Sequence, residues 1–215
     1  MRYLLPAAAV AVLACVASTS LAARVQQHHG HPRVTSHVSL HVSRHSTLSG
    51  RGIVLRGRVR PGGRHHRVKL VLRGSAGGVV RTRTRLNGFF AVRWSPDRPG
   101  AYRVRAYGVH DRAMRGSASA SRRLIAYRQA EASYYGPGLY GNGVACGGTL
   151  EPGTLGVASK TLPCGARVTF RYRGRTVTVS VIDRGPYVAG RDFDLTEATK
   201  ERLGFPGVAT LLASR

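Results

Sequence analysis

From His37 onward the chain alternates apolar and polar positions with a period of two. Val38, Leu40 and Val42 share one face, while His37, His41 and His45 fall on the other, the pattern of a half-buried strand. The same alternation returns in GIVLRGRVR (52–60), RVKLVLR (67–73), VVRTRTRL (79–86), FFAVRW (89–94) and AYRVRAY (101–107), and a last strand is expected near 117–126. Turn chemistry separates these runs at Pro61-Gly62-Gly63, at Pro99-Gly100 and at Asn87-Gly88, the last reading as a type I′ hairpin. About seven short strands at this spacing predict an immunoglobulin-like β-sandwich over residues 37–127, with Trp94 facing inward.

After Glu131 the composition changes. Tyrosine and glycine dominate ASYYGPGLYGNG, and arginine becomes sparse. Strands are predicted at ARVTFRY (166–172), RTVTVSVI (175–182) and GVATLLA (207–213), the first two hinged at Arg173-Gly174. One helix fits TEATKERL (196–203), with Asp194 or Thr196 as cap and Gly204 as stop. Residues 131–215 therefore read as a second domain, and the chain as mainly β with one short helix.

The N-terminal residues carry a different signal. MRYLLPAAAVAVLACVASTSLA combines a positive start, an apolar run and the small residues Ser20-Leu21-Ala22, which predicts a secretory signal over residues 1–22 and a secreted or envelope-associated product. Cys15, after Leu13-Ala14, leaves open the alternative of a lipid-modified first residue. Residues 23–36 lack periodicity and read as a flexible His-rich lead-in, in which His28, His29 and His31 are either a solvated polar tract or a metal site. Export is disulfide-permissive, so Cys146 and Cys164 are expected to pair, two buried thiols being the alternative. All nine histidines lie at or before His110, which disfavours zinc in the second domain; no metal or cofactor is expected there.

Charge separates the halves further. The formal charge is +25, and between Ala23 and Ala130 there are 23 Arg and Lys against Asp97 and Asp111, whereas from Glu131 onward 10 basic residues face 7 acidic ones. If Val80, Thr82, Thr84 and Leu86 point inward, then Arg81, Arg83 and Arg85 project outward, as do Arg103 and Arg105 beside Tyr102 and Val104. Such guanidinium stripes attract polyanions at long range. For an exported chain, anionic wall polymers or lipid headgroups are the expected partners and nucleic acid is not. A merely solvated basic face is the alternative.

The order ASYYGPGLYGNGVACGG, GVASKTLPCGARVTF and VTVSVIDRGPYVAGRDFDLT, and above all KTLPCG with IDRGPYV and its following R.FDL, resembles the double-psi β-barrel of rare lipoprotein A-like (RlpA-like) proteins, a family related to expansins and lytic transglycosylases. The resemblance covers residues 131–214 and implies a small closed barrel whose groove receives polysaccharide, here the glycan strands of bacterial peptidoglycan. It also implies a reaction. In lytic transglycosylation one carboxyl protonates the leaving oxygen and then receives a proton from the sugar's own 6-hydroxyl, which closes a 1,6-anhydro ring. Asp183 is the expected carboxyl. Its other reading is a structural Asp bonded to turn amides beside Arg184.

Two positions depart from the family pattern. Gly148 and Ser159 stand where an acidic residue and a His are usual, so catalysis and a non-catalytic binding or expansin-like wall-loosening role both stay open. Glu151 is a possible assisting acid, or else an exposed residue before the Pro152-Gly153 turn. Sugar contacts are expected from Tyr134, Tyr135 and Tyr140, whose flat faces suit sugar rings if they are not core, and from Ser159 and Lys160. Arg184 and Arg191 are expected to meet carboxylates of the peptide stems, with a turn-stabilising role for Arg184 equally open. Of Asp192 and Asp194, which straddle Phe193, one is expected to cap the helix and the other to face solvent, neither reacting.

Overall fold

Alternation builds the first part of the chain into short strands: β1 (Val34–Thr35), β2 (His37–Val42), β3 (Ser46–Leu48), β4 (Ile53–Arg60), β5 (Arg67–Gly74), β6 (Gly78–Arg83), β7 (Phe89–Trp94), β8 (Gly100–Gly108), β9 (Met114–Arg115) and β10 (Ser117–Ala118). Then come β11 (Arg122–Tyr135), β12 (Val157–Ala158), β13 (Arg167–Tyr172), β14 (Arg175–Asp183), β15 (Phe193–Thr196), α1 (Glu197–Leu203) and β16 (Ala209–Ala213). The computed structural model describes residues 34–110 and 114–215. The predicted signal, Cys15 and the His28, His29 and His31 tract lie outside the described residues.

Strands β2, β4 and β7 form one antiparallel sheet, and β6, β5, β8, β11 and β3 follow one another in a second, with β10 on β8. Their inward residues make one core: Leu40, Leu55 and Phe90 from the first sheet meet Leu70, Val104 and Leu124 from the second. Trp94 packs against this core, edge-on to Tyr102 at 5.2 Å. Gly57 permits the close approach within the first sheet, because a Cβ there would lie 2.0 Å from the Ser39 carbonyl and 2.6 Å from the Phe90 ring.

The hairpin expected at Asn87-Gly88 is corrected by the pairing. The turn is present, with Gly88 at φ +80°, but β6 pairs with β5 and β7 pairs with β4, so it carries the chain from one sheet to the other. Thr84 is inward as expected, buried and accepting the His66 N–H at 2.9 Å, but the alternation breaks two residues later, where Leu86 is exposed rather than inward.

Six strands close on themselves in the second part, in the order β15, β12, β14, β13, β16, β11 and back to β15. Val168, Phe170, Val177, Val179, Val181, Phe193, Leu195 and Leu211 fill the interior, with Phe170 and Phe193 edge-to-face at 5.1 Å. The β13–β14 hairpin turns at Arg173-Gly174, where both residues have positive φ (43° and 85°) as a two-residue turn between twisted strands requires. Helix α1 begins at Thr196, whose hydroxyl accepts the Thr199 N–H, and ends at Gly204 in the left-handed conformation. Cys146 and Cys164, 18 positions apart in sequence, form a disulfide with Cα atoms 5.6 Å apart. Closing a loop of that length contributes about 3 kcal/mol in the chain-entropy model.

Strand β11 joins the two parts. Its residues 122–126 pair with β8 and its residues 128–132 pair with β16, so one unbroken backbone serves both sheets. Leu124 and Ala126 lie in the first core, Ala130 and Ala132 in the second. Across the joint, Arg171 of β13 donates to Ser46 Oγ at 2.8 Å, and Ser49 donates through its backbone N–H to the Tyr127 carbonyl at 2.8 Å. The described residues from 34 onward accordingly form one compact unit.

This continuity predicts coupled unfolding. Phe170→Ala should remove about 3–5 kcal/mol from the barrel core, and the urea midpoint read from Trp94 fluorescence, a probe in the other core, should fall with it. A Trp94 midpoint that stays in place while the far-UV dichroism midpoint drops would show that the cores unfold separately.

Candidate functional site

Asp183 is the last residue of β14. Val177, Val179 and Val181 point into the barrel, so strict alternation would bury Asp183 among them. The pairing with β12 prevents this. Val157 is opposite Val181, but Ala158 is opposite Asp183, a shift of register within two residues. On its other side Ala158 pairs with Asp194, whose neighbours Phe193 and Leu195 point inward. Asp183, Ala158 and Asp194 therefore lie in one row across β14, β12 and β15, on the face opposite the barrel interior. The backbones of the two acids are two strand spacings apart, about 10 Å.

The turn after Asp183 folds over this row. Gly185 has φ +134°, and a Cβ there would lie 3.7 Å from Asp194 Oδ2 and 3.8 Å from both the Ala158 Cβ and the Tyr187 ring. Asp183 Oδ1 accepts backbone N–H groups from Ala145 at 2.9 Å and Arg184 at 2.8 Å. Those two donors fix the carboxyl plane, and Oδ2 receives no hydrogen bond from the described residues. Asp194 accepts the Ser133 hydroxyl. Tyr135, half-buried, brings its hydroxyl to the same place: it is sealed from solvent without a hydrogen-bond partner among the described residues. Burial, and then the Asp183 and Asp194 charges, push its pKa well above the ordinary phenol value. The phenol thus stays protonated at neutral pH, beside both carboxylates and nearest to Asp183.

The other expected site residues divide into two groups. Ser159 is buried, and its hydroxyl accepts the Leu162 N–H at 3.2 Å. The Arg184 guanidinium donates to the carbonyls of Ser159 at 3.1 Å and Leu162 at 2.9 Å and reaches Cys164 Sγ at 3.1 Å. Both side chains shape the rim loop 159–164. Tyr134 lies beneath Lys200, whose Nζ is 4.2 Å from the ring centroid. Tyr140 donates to Glu197 at the start of α1, and that bond, reinforced by burial, pushes its pKa up to about 12. In the second group, Lys160 is exposed, Arg191 is half-exposed, and neither side chain has a partner among the described residues. Glu151 is exposed in a turn closed by Thr154, whose Oγ1 accepts the Glu151 N–H at 2.9 Å.

Two residues at this face were not expected from sequence. Asp194 was placed away from the chemistry because alternation with Asp192 cannot say which acid faces what. The structure separates them: Asp192 pairs with Arg128 at 3.0 Å and accepts the Glu131 N–H at 2.9 Å, while Asp194 joins the row of Asp183. The helix cap falls to neither, but to Thr196. Tyr187 is 85% exposed beside Gly185. Its signal was an aromatic directly after the Gly185-Pro186 turn in the IDRGPYV run.

Residues 128–211 match the family model described as lytic transglycolase. This part of the chain is an RlpA-like double-psi β-barrel. Relatives include the endolytic peptidoglycan transglycosylase RlpA of Yersinia pestis, 45% identical over 34% of this chain and 21% of the relative. The protein of the same name from Neisseria meningitidis is 33% identical over 50% of this chain and 48% of the relative, and a probable one from Synechocystis is 40% identical over 34% and 23%. The chain spans between about a fifth and a half of the length of these relatives. In the RlpA-like barrel, then, the row of acids, the phenol and the exposed aromatic share one face, an arrangement able to donate and accept a proton beside a flat apolar platform.

Tyrosine environments at this face and elsewhere in the chain have a pH consequence. Tyr102, Tyr127, Tyr135 and Tyr140 all have raised pKa values. A phenol harder to ionise folded than unfolded contributes stability below the unfolded value of about 10 and loses it as pH rises beyond. Urea midpoints should therefore fall as pH rises above about 10, the unfolded phenol value, and go on falling toward the raised Tyr140 value of about 12; Tyr135→Phe should flatten that fall. A Tyr135→Phe profile parallel to the parent would show that this hydroxyl ionises freely.

Proposed function

We propose that the barrel binds peptidoglycan glycan strands and cleaves them as a lytic transglycosylase. Asp183, protonated, donates to the glycosidic oxygen as the C1–O bond breaks. The 6-hydroxyl of the same sugar then bonds to C1, its proton passes to the Asp183 carboxylate, and a 1,6-anhydro end results with no water consumed. Asp194, as carboxylate, faces the positive charge that develops at C1, and the Tyr135 hydroxyl lies near both acids as a donor. The exposed ring of Tyr187 offers a stacking surface for a sugar, and Lys160 and Arg191 offer charge to stem-peptide carboxylates. The observation that carries this reading is the Asp183 carboxyl, held by two backbone amides through Oδ1, beside the Tyr135 hydroxyl and in the row that includes Asp194.

In the same reading, residues 1–22 direct export to the envelope, 23–36 form a lead-in, 37–127 an immunoglobulin-like sandwich and 131–215 the barrel. A second reading, a binding or wall-loosening module without turnover, is favoured by one observation. Gly148 has no side chain and the Ser159 hydroxyl is engaged within its own loop, so neither position supplies charge.

Incubation of the exported chain with purified sacculi separates these readings. Soluble anhydro-muropeptides should appear, and Asp183→Asn should reduce their rate by at least about 10²-fold, the usual scale of a lost acid–base group, with an unchanged melting temperature. Asp194→Asn should lower the rate without abolishing sacculus binding. Retention on sacculi with no anhydro product from the parent chain would establish the binding module instead.

A further inference from the structure

The outer face of the second sheet carries a grid of cations that the barrel chemistry does not use. Register places Arg67 opposite Arg83 and Lys69 opposite Arg81. Arg73 is opposite Arg103, which in turn is opposite Arg123. With Arg105 this makes eight cations on β6, β5, β8 and β11, all exposed except the half-buried Lys69. None of the eight is paired with a carboxylate among the described residues. Like charges directly opposite in a sheet are destabilising, and a surface needing only solubility mixes both signs. A face built this way against its own repulsion fits a polyanion.

Between the cation rows runs an apolar strip. Val71 pairs with Val79, which is 44% exposed, and Tyr107 stands beside Lys69, with the Arg105 guanidinium 5.8 Å over its ring. These residues line part of a groove of about 810 Å³ together with Lys69, Arg73 and Arg115. Cations repeat about 5 Å across strands and about 7 Å along them. We propose that this groove and its flanking arginines dock a linear wall polymer of phosphodiester-linked polyol or sugar units, the phosphates on the guanidinium rows and the carbon chain on the valine strip. One aromatic on the whole face argues against single-stranded nucleic acid, whose platforms stack successive bases on several rings. Charge alone would suit many anions; the apolar strip between rows is what suits a polymer alternating anion and carbon.

The proposal is independent of the Asp183 chemistry, and its test keeps the two apart. Fluorescence anisotropy of labelled poly(glycerol phosphate) with the full exported chain should give saturable binding that weakens roughly 50-fold between 50 and 200 mM salt, as expected for about four engaged charges. The triple variant Arg81→Gln, Arg103→Gln, Arg123→Gln should bind at least about tenfold more weakly with an equal or higher melting temperature, since it relieves opposed charges. Arg56→Gln, Arg60→Gln, Arg93→Gln removes the same charge from the outer face of the other sheet and should stay within about threefold of the parent, and Asp183→Asn should be unchanged. Equal loss in both triple variants, tighter capture of single-stranded DNA or of anionic lipid vesicles than of the polymer, or no binding by the parent chain would each overturn the proposal. A failure of the sacculus assay would leave these results untouched.

Discussion

The chemistry available to the barrel hangs on a single irregularity of pairing between β12 and β14. Period two along Val177, Val179 and Val181 would carry the next alternate residue into the apolar interior, where an ionised carboxyl costs several kcal/mol. By pairing Ala158 rather than its successor with Asp183, the sheet turns that residue out of the sequence of inward positions. The same Ala158 is the partner of Asp194. One small side chain between two acids leaves both reachable from the same side. Gly185, which follows, adds no Cβ to the space above them.

The rim around this row is held by groups that would otherwise be free to meet a ligand. Arg184 binds two carbonyls of the loop beginning at Ser159, Ser159 binds back to Leu162, and the disulfide ties that loop to Cys146. Rigid support of this kind reduces the reorganisation required at a polar site. Motif residues near Asp183 thus build the frame, while further along the chain Tyr187 is exposed and Arg191 half-exposed.

How much of this was legible in the sequence depends on the range of the interaction. The helix could be read to within one residue because its signals are local: a Thr cap, an acidic first turn and a left-handed Gly. Strand positions were legible for the same reason, since alternation reports burial directly. What failed required knowledge of partners. Asn87-Gly88 has hairpin chemistry, yet the strands on either side of it find their partners in different sheets. Asp192 and Asp194 are equivalent by pattern and are told apart by distant partners such as Arg128 and Ala158, which are 64 and 36 residues away in sequence. Tyr134 and Tyr140 look like free aromatic platforms until α1 brings Lys200 and Glu197 against them. The family resemblance was readable because its motifs are contiguous; the register that makes them a site is not.

The two parts of the chain also face an electrostatic asymmetry that the shared strand makes useful. Strand β11 begins among opposed arginines and ends beside Tyr135 and the acids. The basic part adjoins a barrel that carries nearly balanced charge, and the attraction of a basic surface for a polyanion falls to little beyond a Debye length of about 8 Å in physiological salt. Steering over such a distance requires the two surfaces to keep a fixed relation. An unbroken backbone between two cores meets that requirement better than a glycine-rich linker would, because each hydrogen-bonded residue of β11 resists bending while a flexible chain does not. The cost is that neither part can adjust its orientation to a ligand without disturbing the packing of the other.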